Sequence, residues 1–130
     1  MSTTTIKDIV NASQHAIYIY NAENPNDTGG ISTRLGPNET FPHDLWIPWC
    51  QQEADFNKHC IIIDPSQPNT VRTSANFAIW QANDVDGNHV RVSTDGFFHY
   101  SGAWASGDNA VGGNRKITFK DNTPLFFEAA

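Results

Sequence analysis

One tryptophan and three polar side chains are predicted to share one face of a β-hairpin. Trp80 lies out of phase with the apolar positions of the first strand, and His89, Arg91 and Ser93 alternate with valines in the second. Because successive side chains of a strand point to opposite faces, all four are predicted to point away from the core. An indole ring packs on the apolar C–H face of a sugar, and planar polar groups hydrogen-bond to its hydroxyls. A structural role for Trp80, beneath a loop or in a dimer interface, is the alternative.

A Gly- and Asn-rich segment, 102–114, is the second candidate binding element. It is longer than most connections between strands, and such loops often have a function. Its glycines let the backbone approach a ligand closely. Trp104 offers a stacking surface, and Asp108, Asn109 and Asn114 offer hydrogen-bonding groups. A packed structural loop anchored by Trp104 is the alternative.

A tryptophan pair, Trp46 and Trp49, is the third candidate. It lies in the run 41–50, where Pro42 and Pro48 exclude a central strand and predict an irregular edge segment. The pair is suited to an interface or a membrane-facing patch. A cap over the open end of the fold is the alternative.

Signals of metal binding and catalysis are weak. The run 84–88 lacks the Gly and Glu that a calcium loop needs and predicts a hairpin turn, and the five histidines lack zinc spacing. There is no nucleophile elbow, phosphate loop or dinucleotide fingerprint. Nothing brings Glu39, Glu53 and Asp55 together as an acid–base pair. We therefore expect a binding protein without a cofactor or metal, and not an enzyme.

The two cysteines, Cys50 and Cys60, are expected to be reduced. Cys60 begins a run of isoleucines that predicts a buried strand, where a thiol behaves as a small hydrophobe. A disulfide and a catalytic thiol are the alternatives.

The charge balance argues against some partners. The net charge is −6, and the 8 Lys and Arg residues are scattered, whereas a phosphate backbone needs clustered cations. Nucleic acid and purely electrostatic membrane attachment are therefore not expected.

The polar run 1–7 lacks signal-peptide features, and no apolar run approaches the roughly 20 residues of a membrane helix. If Met1 is the natural start, a cytoplasmic location is expected.

Short strands separated by turn residues predict the fold class. A single all-β domain over 1–130 is expected, a two-sheet antiparallel β-sandwich with almost no helix beyond a turn at 51–58. The candidate strands are 5–10, 15–20, 31–35, 59–64, 70–73, 77–81, 89–93, 97–100, 115–120 and 124–128.

Four runs taken together resemble a known family. Ile17-Tyr-Ile-Tyr-Asn21, Trp46-Ile-Pro-Trp-Cys50, Phe77-Ala-Ile-Trp-Gln81 and Val90-Arg-Val-Ser-Thr-Asp-Gly96 are similar to the small cytoplasmic lectins of mushroom fruiting bodies, in particular the Coprinopsis mucin-binding lectin group. The resemblance covers nearly the whole chain and rests on short aromatic strand motifs. It implies a jelly-roll-like sandwich, a homodimer, and binding of fucosylated or galactose-containing glycans in defence against animals. It assigns no sugar-contacting residue.

Two rival functions remain open. A lipid-binding β-sandwich of the aegerolysin type would insert Trp46, Trp49 and Trp104 into a bilayer interface. A small hydrolase would require three polar groups that converge in a deep pocket.

Overall fold

The computed structural model describes residues 3–41, 44–84, 87–99 and 103–130. These residues form eleven strands and two short 3-10 helices, Pro25–Thr28 and Glu53–Lys58. The strands are β1 (Thr4–Asn11), β2 (Ile17–Asn21), β3 (Thr33–Leu35), β4 (Thr40–Phe41), β5 (Leu45–Trp46), β6 (Ile61–Asp64), β7 (Phe77–Asp84), β8 (Gly87–Ser93), β9 (Ser106–Gly107), β10 (Gly113–Phe119) and β11 (Phe126–Ala129). Neither of the two described helices has the length and apolar character needed to cross a bilayer.

The strands form two sheets that pack against each other. Sheet A has the order β4-β1-β10-β11-β9, with β5 also paired to β1, and sheet B has the order β3-β2-β6-β7-β8. All pairs in sheet B are antiparallel, whereas the β1–β10 and β11–β9 pairs of sheet A are parallel. The predicted two-sheet antiparallel β-sandwich is confirmed, since antiparallel pairs dominate both sheets, and the two parallel pairs are a further feature of sheet A.

The main core lies between the two sheets. In the β7–β8 hairpin, Ile79 and Val90 are fully buried in it, and Phe77 and Val92 pack against it. The predicted core face of this hairpin is therefore confirmed. Both sheets supply the remaining buried core residues, which include Ile6, Ile9, Ile17, Ile19, Leu45, Ile61, Ile63, Ile117 and Phe127.

The opposite face of sheet B carries a second buried cluster. Phe56 of the helix Glu53–Lys58 packs edge-on against Trp80, with 4.7 Å between the ring centroids. Phe98 packs on the same ring at 5.5 Å, and Trp80 is 0% exposed. Sheet B is therefore covered on both faces in this region. This double cover explains why the run 60–63 is apolar without alternation.

The two cysteines lie in this second cluster. Cys50 and Cys60 are free thiols, and both are buried. Burial raises the pKa of Cys50, and it raises the pKa of Cys60 to about 12. Cys60 therefore stays protonated at neutral pH, in keeping with its predicted role as a small buried hydrophobe and not with that of a nucleophile.

Several predicted elements differ in the structure. Residues 70–73 form no strand, because Asn76 ties their backbone into a turn: its amide donates to the Val71 carbonyl, and its Oδ1 accepts from the Thr73 amide. Residues 97–99 form no strand either, because Phe98 packs in the second cluster, and residue 100 lies outside the described residues. The helix Pro25–Thr28 lies between the predicted strands 15–20 and 31–35, where no helix was predicted.

The hairpin and the edge segment follow the predictions more closely. The β7–β8 pairing runs from Ala78 opposite Ser93 to Asp84 opposite Gly87, and residues 85–86 of the predicted turn lie outside the described part. The run 41–50 is irregular, as predicted, with short strands; Pro42 and His43 are outside the described residues.

Asp64, at the end of β6, is a buried carboxylate that organises the turn that follows. It accepts hydrogen bonds from the backbone amides of Ser66 at 2.9 Å and Gln67 at 3.1 Å. It also accepts from Ser66 Oγ at 3.0 Å and Asn69 Nδ2 at 3.3 Å. Burial by itself would raise the pKa of Asp64, but these donors outweigh it and the pKa is lowered.

Replacing the buried Trp80 by alanine should destabilise the fold. We expect Trp80→Ala to lower the free energy of unfolding by about 3–5 kcal/mol, because it leaves a cavity in the second cluster. Urea denaturation followed by far-UV circular dichroism measures the loss. Trp46→Ala is the control, since Trp46 is 62% exposed and its loss should cost no more than about 0.5 kcal/mol. Equal stability of the two variants would contradict the buried position of Trp80.

Asp64 should make stability depend on acid pH. Its folded pKa is below the unfolded value of about 3.9, so its contribution is complete above that pH and is lost as the pH falls through the folded pKa. Asp64→Asn should therefore be about 1–3 kcal/mol less stable than the wild type at pH 7. The difference in unfolding free energy between wild type and Asp64→Asn should narrow below pH 4 in urea titrations. A difference in unfolding free energy that stays constant from pH 7 to pH 2 would refute the stabilising role of ionised Asp64.

Candidate functional site

The segment 103–110 crosses from the edge of sheet B to the edge of sheet A. Val92 N donates to Ala103 O at 2.8 Å, and Ala105 N donates to Val90 O at 2.9 Å, so the segment begins antiparallel to β8. It then forms β9, which pairs in parallel with β11. The predicted long loop is therefore largely an ordered edge element, with residue 102 outside the described residues.

This pairing places an exposed indole ring on a histidine. Trp104 forms a bridge to Arg91, and His89 lies two residues from Arg91 on the same strand face, so the two rings meet diagonally. The rings of His89 and Trp104 stack with 3.9 Å between centroids and an angle of 19°. His89 Nδ1 lies 3.1 Å from Oδ1 of Asn109. Trp104 remains 43% exposed, so it is an orientated ring with accessible surface.

An open cleft of about 450 Å³ lies beside this ring pair. We call it the edge cleft, and its lining residues are Val92, Ser93, Thr94, His99, Ala103, Trp104, Ser106, Pro124 and Leu125. Its lining combines apolar side chains with hydroxyl groups. This mixture and this volume are typical of sites for small polar organic ligands.

A carboxylate links two of the polar residues that line the edge cleft. Ser93 Oγ donates to Asp95 Oδ1 at 2.7 Å, and His99 Nε2 lies 3.0 and 3.1 Å from the two carboxylate oxygens. The Ser93 hydrogen bond is the main cause that lowers the pKa of Asp95 to about 2, with further contributions from the Phe97 amide and from His99. Asp95 is therefore ionised across the physiological range.

The turn that carries this carboxylate requires glycine. Gly96 has a φ of +74°, and a Cβ atom at this position would overlap the Thr73 backbone. Arg72 Nη1 donates to the Gly96 carbonyl at 2.9 Å and ties the turn to the second cluster, since its guanidinium lies over the Phe56 ring. The Asp95 network is thus held by the packing of sheet B.

The arrangement is suited to hydrogen bonding with a ligand. A nucleophilic serine needs a base that accepts its proton, and here the Ser93 proton points to a carboxylate whose pKa is about 2. Such a weakly basic group is a poor general base at neutral pH. It is, however, a strong acceptor, and it accepts the hydrogen bond of the Ser93 hydroxyl and holds the ring of His99 in place.

Three of the predicted binding residues are buried. Trp80, Arg91 and Ser93 lie on the predicted face of the hairpin, but Trp80 and Arg91 are fully buried and Ser93 is only 1% exposed, so their predicted exposure is wrong. The helix Glu53–Lys58 and Phe98 cover Trp80, and the segment 103–110 pairs with β8 beside Arg91. Neither Trp80 nor Arg91 can stack on or bond directly to a ligand.

The remaining predicted residues divide between the site and its scaffold. Ser93 and Trp104 line the edge cleft, and His89 and Asn109 orient Trp104. Asp108 instead lies 3.3 Å from the guanidinium of buried Arg115 and holds the crossing segment in place.

Asn114 lies outside this site. It is exposed on β10 of sheet A, where its carbonyl accepts a hydrogen bond from Arg115, and it does not line the edge cleft. The structure therefore does not bring Asn114 to the edge cleft with the other predicted binding residues.

Sequence reasoning missed the polar residues after β8. Thr94 and His99 line the edge cleft, as do Ser106 and Pro124, and Asp95 connects His99 to Ser93. A signal was present: the Asp95-Gly96 turn directly follows a serine that was predicted to face outward. A sharp turn at a strand end keeps its polar side chains beside those of the strand.

The tryptophans of the run 46–49 are separated in the structure. Trp46 is exposed on β5, whereas Trp49 is half-buried and bridges to Gln81 of β7. No group of three or more His, Cys, Asp or Glu side chains that could hold a metal ion occurs within the described ranges.

Comparison with protein-family models, curated proteins and solved structures gives no match to this chain. The function is therefore inferred from the geometry of the edge cleft.

Removing the Ser93 hydroxyl should raise the pKa of Asp95. We expect Ser93→Ala to shift the Asp95 titration from about 2 toward the ordinary aspartate value, because the main stabilising hydrogen bond of the carboxylate is lost. Carboxyl-detected NMR titration measures the midpoint. Thr94→Ala is the control, since it removes a neighbouring hydroxyl of the cleft. An unchanged midpoint in Ser93→Ala would contradict the network.

Proposed function

We propose that this protein is a lectin that binds carbohydrate in the edge cleft, with Trp104 as the stacking surface. The observation that carries the proposal is an exposed indole, backed by His89, beside a cleft with serine, threonine and histidine groups. A sugar presents an apolar C–H face and a rim of hydroxyls. The cleft offers a partner for each of these two features.

The rigidity of the cleft supports this proposal. His89 covers one face of the Trp104 ring, and the surrounding backbone is hydrogen-bonded to both sheets. A ring that is already orientated loses little freedom when a ligand binds, so more of the contact energy is available as affinity. Ionised Asp95 likewise holds Ser93 and His99 in place before a sugar arrives.

The distribution of tryptophans favours sugar over lipid as the ligand. A bilayer-inserting protein needs its aromatic side chains in one patch. Trp46 lies on β5 beside β1, while the segment with Trp104 joins the opposite edge of sheet A through β9, and Trp49 is bridged to β7. These three side chains therefore lie at separate places on the fold, which weighs against the aegerolysin-type alternative.

The biological role that we propose follows from the sequence resemblance. A single shallow sugar site binds weakly, whereas a symmetric dimer that engages two glycans gains strongly in avidity. We propose a cytoplasmic homodimer that cross-links fucosylated or galactose-containing glycans of glycoproteins or glycolipids. Defence against feeding animals is the role implied for such a protein.

The proposal predicts that glycan binding depends on Trp104. On an array of terminal-sugar families, the tagged protein should bind one related set of glycans. Trp104→Ala should lower the affinity for that set on the order of tenfold, because a stacked aromatic contact is worth about 0.5–1.5 kcal/mol beyond the area it buries. Isothermal titration with the strongest array glycan measures the loss.

Trp46→Ala is the matched control, since it removes an exposed tryptophan from a strand remote from the edge cleft. Its affinity should equal that of the wild type. If a folded Trp104→Ala variant binds the glycan with wild-type affinity, Trp104 is not the stacking surface. A blank array with folded protein would overturn the proposal, and co-sedimentation with liposomes treated with glycosidase would then test the lipid alternative.

A further inference from the structure

A second recess joins the edge cleft and extends it into a groove. This end recess has a volume of about 560 Å³, and Thr94 and Pro124 line both cavities. Its other lining residues are His15, Pro65, Phe77, Phe119, Lys120, Asp121, Asn122 and Thr123. A ligand held in the edge cleft can therefore extend past Thr94 and Pro124 into the end recess.

Aromatic rings give the end recess a largely apolar lining. Phe77 and Phe119 pack edge to face with 5.9 Å between centroids, and the His15 ring meets Phe119 edge-on at 6.1 Å. Phe77 is only partly buried, so part of its side chain is accessible. Pro65 and Pro124 add further apolar surface. A hydroxyl placed against these groups would lack a partner, whereas a methyl group would be well accommodated.

Polar groups surround this apolar lining. His15 Nδ1 lies 3.2 Å from Asp121 Oδ1, and the Gln14 amide donates to Asp121 Oδ2 at 3.3 Å. Lys120 and Asn122 are exposed at the same recess. The lysine and the asparagine amide can donate to a carbonyl. The Asp121 carboxylate offsets the charge of Lys120, so the recess has no surplus of positive charge for an acidic sugar.

We propose that the end recess is a second sugar subsite, and that it takes an N-acetylated hexosamine linked to the sugar in the edge cleft. This inference rests on the proposed function and names the ligand class more closely. An acetamido group combines a methyl group, which suits the phenylalanine lining, with a carbonyl that accepts from Lys120 or Asn122. A plain hexose has a hydroxyl at this position and gains neither contact.

Matched glycan pairs test the inference directly. Each pair differs only in a 2-acetamido or 2-hydroxyl group on the sugar next to the terminal one, as in Galβ1-4GlcNAc against Galβ1-4Glc, with equivalent pairs for other terminal sugars. We expect the acetamido member to bind about tenfold more tightly, the discrimination typical of a well-placed apolar group. Titration calorimetry measures both members of the pairs that the array identifies.

Variants of the end recess test whether its residues cause the preference for the acetamido group. Lys120→Ala and the conservative Phe77→Leu should each reduce the affinity ratio between the acetamido and hydroxyl members toward one. Binding of the terminal monosaccharide should be retained in both variants. Lys116→Ala is the matched control, because Lys116 lies on β10, which ends one residue before Lys120, and it pairs with Glu128 and does not line the end recess. Thermal melting confirms that each variant is folded, which keeps Lys120→Ala informative if Phe77→Leu unfolds.

The outcomes separate this inference from the proposed function. Equal affinity for both members of every pair, or a preference that survives in Lys120→Ala and Phe77→Leu, would overturn the second subsite and leave glycan binding in the edge cleft intact. Absence of binding to every member of every pair by folded protein would overturn both. A preference that is lost only in the recess variants supports the subsite.

Discussion

The backbone at the outer edge of β8 is the constraint on which the site depends. An unpaired strand edge exposes amide and carbonyl groups that need partners, and it invites pairing with another chain. The segment 103–110 supplies these partners through the bonds of Val90 and Val92, and then continues into sheet A as β9. The same pairing sets Trp104 on His89, buries Ala105 in the core and forms one wall of the edge cleft. Edge protection and site construction are thus one structural feature.

The second buried cluster links the core to the site. The helix Glu53–Lys58 and Phe98 close over Trp80, and Arg72 extends from the Phe56 ring to the carbonyl of Gly96. The turn that bears Asp95 is therefore held by the same packing that covers sheet B. A rigid scaffold with polar groups on its connecting segments is the usual arrangement of binding proteins. Here the scaffold orients Ser93 and His99 through an ionised carboxylate.

The groove formed by the edge cleft and the end recess combines two kinds of surface. Its first part has hydroxyls, an imidazole and an exposed indole, and its second part has a phenylalanine lining with polar groups around it. Both lie where the strands end and the connecting segments gather, which is where a sandwich can vary its surface without disturbing its core. A ligand with alternating apolar and polar features, such as an oligosaccharide, matches this surface better than a uniformly apolar or uniformly charged one.

Strand alternation in the sequence determined which residues share a face, and it separated Ile79 and Val90 from Trp80 and Arg91 correctly. The short turn-punctuated runs likewise determined the all-β sandwich, because these patterns depend on local backbone geometry. Tertiary structure alone decided what covers the second face, and so turned Trp80 from a predicted binding residue into a buried one. It also decided that Trp104 meets His89 and that Thr94 and His99 share a cleft with Ser106 and Pro124. Period-2 alternation shows on which side a residue lies, but exposure depends on contacts between segments that are distant in the chain.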